Sequence, residues 1–430
     1  IKMILINGIA QFTALHRFAH LPRSKYNRYS FSAKAATTML SQAKKVLVPI
    51  ANSSEPMEAV IIADVLTRSA ADVTVAAVGG QLKISACHGI KLIADALIED
   101  CTTNNYDLIA LPGGMPGAVN LKECATLEDM MKNQAAEGKP YAAICASPAV
   151  SLGPWGLLKG LQATCYPSFM DQLHPNAIVV DTRVQKDGHV VTSQGPATTM
   201  EFAVSLVELL SGKEKAHEIS IPMVMRTNYG EEHTYKELNP MEWASSDTPQ
   251  ILVPIANGTE EMEAVIIIDI LRRANANVKV ASVEESLEIK ASRNVKMEAD
   301  MFIEEALGYS YDLIVLPGGL GGAVSFSKCE KLVTLLQRQM ESNRPYGAIC
   351  ASPALVLEPH GFLKGKKATC FPSMSEKLTD KGEIENRVLI DGNLITSRGP
   401  GTAMEFALAI VDKFYGREKG LQLAKALLFA

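Results

Sequence analysis

The stretch PYAAICASPA at residues 140–149 recurs as PYGAICASPA at residues 345–354. In each copy a short apolar run leads to a cysteine, Cys145 or Cys350, and a proline follows three residues later. This order of residues predicts a buried strand, a sharp turn and then a helix, with the cysteine on the turn. The two cysteines are 205 residues apart. The sequence therefore predicts the same local fold twice in one chain.

Other segments recur at the same spacing. They are NSSEPMEAVII (52–62) with NGTEEMEAVII (257–267), YDLIALPGG (106–114) with YDLIVLPGG (311–319), and TCYPS (164–168) with TCFPS (369–373). A repeat this long is a duplicated domain, because each copy has enough chain to bury its own core. We expect a basic N-terminal extension at 1–44, a first domain at 45–226, a linker at 227–249 and a second domain at 250–430.

Composition excludes several classes of function. The chain has 430 residues, of which 47% are hydrophobic and 21% charged, as in ordinary globular proteins. A net charge of −5 gives no basic footprint for nucleic acid or for an anionic membrane. The sequence has no uninterrupted apolar stretch of about 18 residues. We therefore expect neither nucleic acid nor a membrane as a partner.

Cysteine usage argues against a disulfide scaffold and against a metal site. Eight cysteines in so long a chain are few, and no CxxC pair offers the spacing of zinc ligands. The pairs Cys124 with Cys329 and Cys165 with Cys370 recur between the copies and suit small buried positions. The sequence also lacks a nucleotide-binding motif. We expect no metal and no cofactor.

The extension at 1–44 carries lysines and arginines but no aspartate or glutamate, with serines and threonines between them. This bias is typical of an organelle transit peptide. We expect a plastid address, with the mitochondrion or the cytoplasm as alternatives. A disordered basic tail, or a leader read upstream of the true start, would have the same composition.

Both copies alternate between strand-like and helix-like segments. KVLVPIA (45–51) is a continuous apolar run that suits a strand buried on both faces. MEAVIIADVLTRSA (57–70) follows with helical spacing, and the second copy repeats the pattern. Such alternation predicts an α/β fold with mostly parallel sheets flanked by helices. The segment 227–249 is polar and shows neither period, so we expect a linker there. We also expect the two domains to pack as a pseudo-dimer.

The cysteine turns are the first candidate site. A cysteine between a strand and a helix stands at the carboxyl edge of a parallel sheet, where ligands bind in this architecture. The N-terminus of the following helix would favour the thiolate and lower the pKa of the thiol. We interpret Cys145 and Cys350 as nucleophiles; the alternative is a structural cysteine in the core.

The glycine pairs Gly113-Gly114 and Gly318-Gly319 end a neighbouring strand. Glycine permits a tight backbone turn, and its N–H groups could stabilise a developing oxyanion. A turn that only needs positive φ would explain the glycines equally well. We assign to the same backbone loops the residues that follow the cysteines, Ala146 and Ala351.

Glu58 and Glu263 begin the first helix of each copy and could move a proton to and from the cysteine site. Acids also decorate first helical turns without a further role, which suits Glu55, Glu260 and Glu261 better. No histidine recurs between the copies, so a shared Cys–His mechanism is excluded. The recurring pairs Asp64 with Arg68 and Asp269 with Arg273 suit ion pairs at a packed interface.

The motifs NGTEEMEA, LPGG, AICASP and TSRGPGTAMEFALAIV resemble those of the DJ-1/PfpI superfamily, in the Parkinson-associated deglycase branch and the tandem form found in plants. The resemblance implies a flavodoxin-like three-layer α/β/α sandwich in each half. It also implies the cysteine nucleophile, the glutamate partner and the glycine loop at the positions named above. Members of this branch are glutathione-independent glyoxalases, which act on the reactive dicarbonyls methylglyoxal and glyoxal, and deglycases.

Departures from the family pattern leave alternatives open. Animal members have a histidine before the proline of the TxxP segment, where this chain has Tyr166 and Phe371. The second copy keeps more of the family's residues, so we expect the first site to be slower. A redox sensor, chaperone-like or copper-handling protein would use the same cysteines. The protease side of the superfamily is disfavoured, because alanine rather than histidine follows each cysteine.

Overall fold

The structure is a computed structural model and describes residues 43–243 and 247–430. The predicted extension at 1–44 falls outside the described residues, apart from its last two. The described residues form one compact unit.

The described part of the first half has eleven strands and six α-helices. The strands are β1 (Lys45–Ile50), β2 (Asp72–Ala77), β3 (Lys83–Ser85), β4 (Lys91–Ile93), β5 (Ala96–Leu97), β6 (Leu108–Leu111), β7 (Tyr141–Ile144), β8 (Gln162–Ala163), β9 (Ile178–Val179), β10 (Val184–Asp187) and β11 (Val190–Ser193). The helices are α1 (Pro56–Arg68), α2 (Gly117–Lys122), α3 (Ala125–Ala136), α4 (Met170–Leu173), α5 (Thr199–Ser211) and α6 (Lys213–Ser220).

The described part of the second half repeats this order. Its strands are β12 (Lys236–Leu238), β13 (Gln250–Ile255), β14 (Asn277–Ser282), β15 (Glu288–Lys290), β16 (Lys296–Glu298), β17 (Met301–Phe302), β18 (Leu313–Leu316), β19 (Tyr346–Ile349), β20 (Val388–Asp391) and β21 (Leu394–Ser397). Its helices are α7 (Glu261–Arg273), α8 (Ile303–Ala306), α9 (Leu320–Lys328), α10 (Glu330–Glu341), α11 (Ala403–Tyr415) and α12 (Arg417–Ala426).

Each half is built on a central sheet that is mostly parallel. The strand order is β10-β11-β7-β6-β1-β2-β5 in the first sheet and β12-β20-β21-β19-β18-β13-β14-β17 in the second. The antiparallel exceptions are β10 with β11 and β20 with β21, both near one edge. The central strands β1 and β13 are buried almost throughout, as their apolar sequences require. The predicted α/β fold with two flavodoxin-like domains is confirmed.

The segment predicted as a linker is more ordered than its sequence indicates. It supplies β12, which pairs in parallel with β20 and forms the edge of the second sheet. Trp243 is buried and donates from Nε1 to the carbonyl of Gly392 at 3.0 Å. The strand KEL has only three residues and no apolar alternation, so the sequence period could not reveal it.

The two halves contact each other through sheet and helix. Strand β4 of the first half pairs with β16 of the second, which joins two hairpins into the sheet β15-β16-β4-β3. Helix α1 packs against α7. These contacts join the same elements of both halves and agree with the expected pseudo-dimer. Within the described residues no helix is long and apolar enough to cross a membrane.

Candidate active site

Each cysteine occupies a strained turn at the end of a central strand. Cys145 follows β7 and Cys350 follows β19, and both have φ of 64°, a left-handed conformation that non-glycine residues seldom adopt. Their N–H groups donate to the carbonyls of Ser193 and Ser397, each at 3.0 Å. The neighbouring strand therefore holds the turn in place. The predicted strand and turn are present in both copies.

The element after each turn differs from the prediction. It is a five-residue π-helical turn, Pro148–Leu152 in the first half and Pro353–Leu357 in the second, and not an extended α-helix. The serine between cysteine and proline fixes this turn to the glycine loop. Ser147 Oγ donates to the carbonyl of Pro112 at 2.5 Å, and Ser352 Oγ donates to that of Pro317 at 2.6 Å.

The predicted glutamates lie beside the cysteines. Glu58 and Glu263 are fully buried in the first turns of α1 and α7. In each, Oε2 accepts a hydrogen bond of 2.7 Å from the N–H of a glycine, Gly113 or Gly318. Among the described residues no group donates to the other carboxyl oxygen, Oε1, in either half. The cysteine side chain is the neighbour that interacts with each carboxyl.

The two glycines of each loop direct their N–H groups to different partners, which the sequence did not reveal. The N–H groups of Gly113 and Gly318 donate to the glutamates, and an oxyanion role for these two glycines stays a prediction. The N–H groups of Gly114 and Gly319 face the cysteine sulfur atoms instead. These two N–H groups are placed to stabilise negative charge on sulfur.

The second glycine of each pair is required by the backbone. Gly114 has φ of 91°, and a side chain there would collide with the backbone of Ser53. Gly319 has φ of 87° and is crowded by the backbone of Gly258 in the same way. Ala146, which follows the first cysteine, is buried, and its role as an oxyanion donor stays a prediction together with that of Ala351.

Burial has the largest effect on the pKa values of the glutamate and the cysteine in each half. It raises the pKa of Glu58 to about 7 and that of Glu263 to about 8. Burial and the adjacent glutamate charge also raise the pKa of the Cys145 and Cys350 thiols above their ordinary value. The predicted lowering of the thiol pKa is therefore wrong. A single π-helical turn has little dipole, and the sulfur is buried next to a carboxyl.

The cysteine and glutamate of each half share protons as one unit. When both groups are protonated, the first proton leaves near the pKa of the glutamate. The remaining proton can then reside on the carboxyl, where it leaves a thiolate, or on the sulfur. A carboxylic acid held against a thiolate can give a proton to a bound substrate and take one back. Neither step requires a histidine.

Sequence reasoning missed a set of contacts that cross between the halves. Tyr166 donates from its hydroxyl to the carbonyl of Ala426 at 3.0 Å, and its ring lies beside Gly195 together with Leu428. In the second half, Phe371 lies beside Gly399 together with Val224. A chain segment of each half thus packs next to the cysteine turn of the other. Only the recurrence of aromatic residues at 166 and 371 hinted at this.

Glu55, Glu260 and Glu261 lie at the N-termini of α1 and α7, where the sequence placed them. All three are buried, and Glu55 and Glu260 cap the N-termini of α1 and α7. Asp64, Glu260 and Glu261 bring oxygen atoms within 4.8 Å of one another. Arg68 bonds to Asp64 and Glu260, so a guanidinium already supplies positive charge to this group.

Comparison with known proteins places these features in a family. The model described as the DJ-1/PfpI family matches residues 44–209 and 249–413, and each range contains one cysteine turn. Protein DJ-1 homolog B of Arabidopsis thaliana is 62% identical over 404 residues, covering 94% of this chain and 92% of that protein. Protein DJ-1 homolog A of the same plant is 58% identical over 391 residues, covering 91% of this chain and 100% of that protein.

A more distant relative carries an activity in its name. The glutathione-independent glyoxalase DJR-1.2 of Caenorhabditis elegans is 33% identical over 189 residues. The match covers 44% of this chain and 99% of that protein, which is therefore similar to a single half.

Proposed function

Because the chain belongs to the DJ-1/PfpI family, we propose that it is a glutathione-independent glyoxalase that converts methylglyoxal and glyoxal into hydroxy acids. The observation that carries the proposal is the buried glutamate held against a cysteine in each half, with a raised carboxyl pKa. The name of the nematode relative supports the same reaction. A deglycase activity would use the same pair on a protein-bound adduct.

In the proposed reaction the thiolate of Cys145 attacks the aldehyde carbon, C1, of methylglyoxal. A carbon–sulfur bond forms, and the former aldehyde oxygen takes the proton of Glu58. The carboxylate of Glu58 then removes the hydrogen of C1 as a proton, which gives an enediolate. Glu58 returns this proton to C2, while the proton on the C1 oxygen moves to the C2 oxygen.

The product of these steps is a thioester of lactate on the cysteine. Water cleaves the thioester, releases lactate and restores the thiol. Oxidation of C1 balances reduction of C2, so the net reaction adds one water to methylglyoxal and needs no external oxidant. Cys350 and Glu263 would perform the same steps in the second half.

The test is methylglyoxal turnover by the purified full chain without glutathione. Nuclear magnetic resonance in deuterium oxide would follow loss of substrate, formation of lactate and the share of lactate whose C2 keeps the protium that Glu58 carries from C1. The double variant Glu58→Gln/Glu263→Gln should lose activity about 100-fold or more, as is typical for removal of a general acid–base group. Glu123→Gln, an exposed acid, is the matched control. Turnover by the double variant at the wild-type rate would refute the proposed role of the glutamates.

A redox-sensing role is the second candidate, and one observation favours it. Oε1 of each buried glutamate has no other hydrogen-bond partner in the described part of the chain. A protonated carboxyl there could donate to an oxygen of a cysteine sulfinate and stabilise it. Mass spectrometry after peroxide treatment should then find sulfinate first at Cys145 and Cys350. Oxidation spread equally over all eight cysteines would argue against this role.

We also propose that the protein is targeted to plastids, because residues 1–44 are basic and contain no acidic residue. A fluorescent protein fused behind this segment should enter plastids in leaf cells. Accumulation in mitochondria or in the cytoplasm would contradict it.

A further inference from the structure

Two hydrogen bonds connect an arginine of the second half to the catalytic glutamate of the first. Arg273 on α7 donates from Nη2 to Glu55 Oε1 at 2.9 Å. Glu55 is the N-cap of α1, and its Oε2 accepts from the backbone N–H of Glu58 at 2.7 Å. One carboxylate thus bridges the other half's guanidinium and the residue that faces Cys145.

The reciprocal chain of bonds is also present. Arg68 on α1 donates from Nη2 to Glu260 Oε1 at 2.7 Å. Glu260 caps α7, and its Oε2 accepts from the N–H of Glu263 at 2.7 Å. The same connection therefore exists twice, in opposite directions across the interface between α1 and α7.

Burial makes these ion pairs more than surface contacts. The side chains of Glu55 and Glu260 are 4% and 5% exposed, and those of Arg273 and Arg68 are 21% and 11% exposed. Water screens such pairs far less than it screens surface pairs. Each arginine is also held from its own helix, because Asp269 pairs with Arg273 and Asp64 pairs with Arg68. The guanidinium groups are therefore fixed in position.

We infer that Arg273 is a positioning residue for the Glu58–Cys145 site and Arg68 for the Glu263–Cys350 site, so that each half adjusts the reactive thiol of the other. The inference deepens the proposed function and rests on it only for the name of the reaction. Its test reads thiol reactivity, so a chain without glyoxalase activity could still confirm or refute it.

The charges around Glu58 fix the direction of the effect. The groups that act on the carboxyl are Cys145 from the turn after β7, and Arg273 and Asp269 from α7, while the thiol of Cys87 faces it from the turn after β3. Glu55, the N-cap of α1, is a further charged neighbour. Arg273 lowers the pKa of Glu58, whereas Asp269 raises it. Loss of the arginine charge should therefore raise the pH at which the pair releases its first proton.

The environment of Glu263 is the mirror case with one addition. Cys350 faces it from the turn after β19, and Arg68 and Asp64 act on it from α1. Glu260 and Glu261 lie at the start of its own helix, and Glu261 has no acidic counterpart in the first half. Arg68 lowers the pKa of Glu263, so its loss should shift the second site to higher pH.

The experiment measures alkylation of both cysteines in the same full-length protein as a function of pH. Iodoacetamide rates at Cys145 and Cys350 are read separately by peptide mass spectrometry. The variants are Arg273→Gln and Arg68→Gln. Arg272→Gln is the matched control, because Arg272 also crosses the interface, to the carbonyl of His88, but does not bond to Glu55.

Arg273→Gln should raise the alkylation midpoint of Cys145 by about half a pH unit or more, which slows its reaction about threefold below the midpoint. The midpoint of Cys350 should not move. Arg68→Gln should raise the alkylation midpoint of Cys350 and leave that of Cys145 unchanged. Arg272→Gln should leave both midpoints unchanged. Arg273→Lys, which keeps the charge, should shift the Cys145 midpoint less than Arg273→Gln does.

Several results would overturn the inference. One is a shift in the alkylation midpoints of both cysteines together. The others are a shift only at the cysteine in the same half as the substituted arginine, and no shift at either cysteine. If Arg273→Gln does not fold, Asp269→Asn/Arg273→Gln takes its place and is compared with Asp269→Asn alone, so that only the loss of the arginine charge differs. Arg273→Lys extends the test, since a stable Lys variant that raises the Cys145 midpoint as far as Arg273→Gln does, although it keeps the charge, also counts against the inference.

Discussion

Gly318 offers the most direct way to push the cysteine and the glutamate apart. A methyl group added at this position would lie 2.5 Å from Cys350 Cβ, 2.6 Å from Glu263 Oε2 and 3.0 Å from Cys350 Sγ. Carbon atoms in contact prefer a separation of about 3.5–4.0 Å. Gly318→Ala must therefore displace the turn, the carboxyl or both by about 1 Å.

The structure sets two expected magnitudes for Gly318→Ala. Overpacking a well-packed core costs about 1–3 kcal/mol, so the free energy of unfolding should fall by that amount. A misplacement of about 1 Å in a reacting pair can reduce its rate about 100-fold. Reactivity should fall at Cys350 but not at Cys145, because the first half keeps its own glycine at position 113.

The assay combines urea unfolding with separate alkylation rates for the two cysteines. Gly308→Ala is the matched control, since a methyl group there meets only the carbonyl of Glu305 at 3.5 Å, an ordinary contact. The control should change stability by less than about 1 kcal/mol and leave both cysteines unaffected. Cys350 in Gly318→Ala reacting at the wild-type rate would refute the placement of the pair.

Two further predictions concern stability. Glu58 and Glu263 hold protons in the folded state up to pKa values of about 7 and about 8, whereas the unfolded chain releases them near 4.5. The free energy of unfolding should therefore fall as pH rises from about 4.5 to about 8. Glu263→Gln should make this fall less steep. A pH profile of stability that the variant leaves unchanged would contradict the raised pKa of Glu263. Ser352→Ala leaves the Pro317 carbonyl without its partner at 2.6 Å and should cost about 1–3 kcal/mol in urea unfolding. The exposed Thr334→Ala should cost less than about 0.5 kcal/mol, and equal losses would disprove the role of the serine.

The sequence predicted those features that depend on local pattern. Apolar runs such as KVLVPI are enough to indicate buried parallel strands, and the recurrence of AIC located the strained turns at Cys145 and Cys350. Recurrence between the copies also placed Glu58 and Glu263 next to these turns. Internal duplication thus supplied the comparison that a single domain would not offer.

Features that depend on direction or on distant packing could not be predicted in this way. Whether the N–H of Gly113 points to a substrate or to a carboxyl depends on peptide orientation, which residue type does not encode. The pairing of Arg68 with Asp64 follows from helical spacing, but its bond to Glu260 depends on how α1 packs on α7. The thiol pKa was misjudged because burial of the sulfur is a property of the whole site.

The central claim is that two cysteine–glutamate pairs carry out the same reaction without glutathione. Lactate formation from methylglyoxal by wild type, Cys145→Ala, Cys350→Ala and the double variant tests it most directly. Each single variant should keep the activity of the remaining half, with the larger share from the second half, and the double variant should form no lactate above the uncatalysed rate. Lactate formation by the double variant at the wild-type rate would contradict the account.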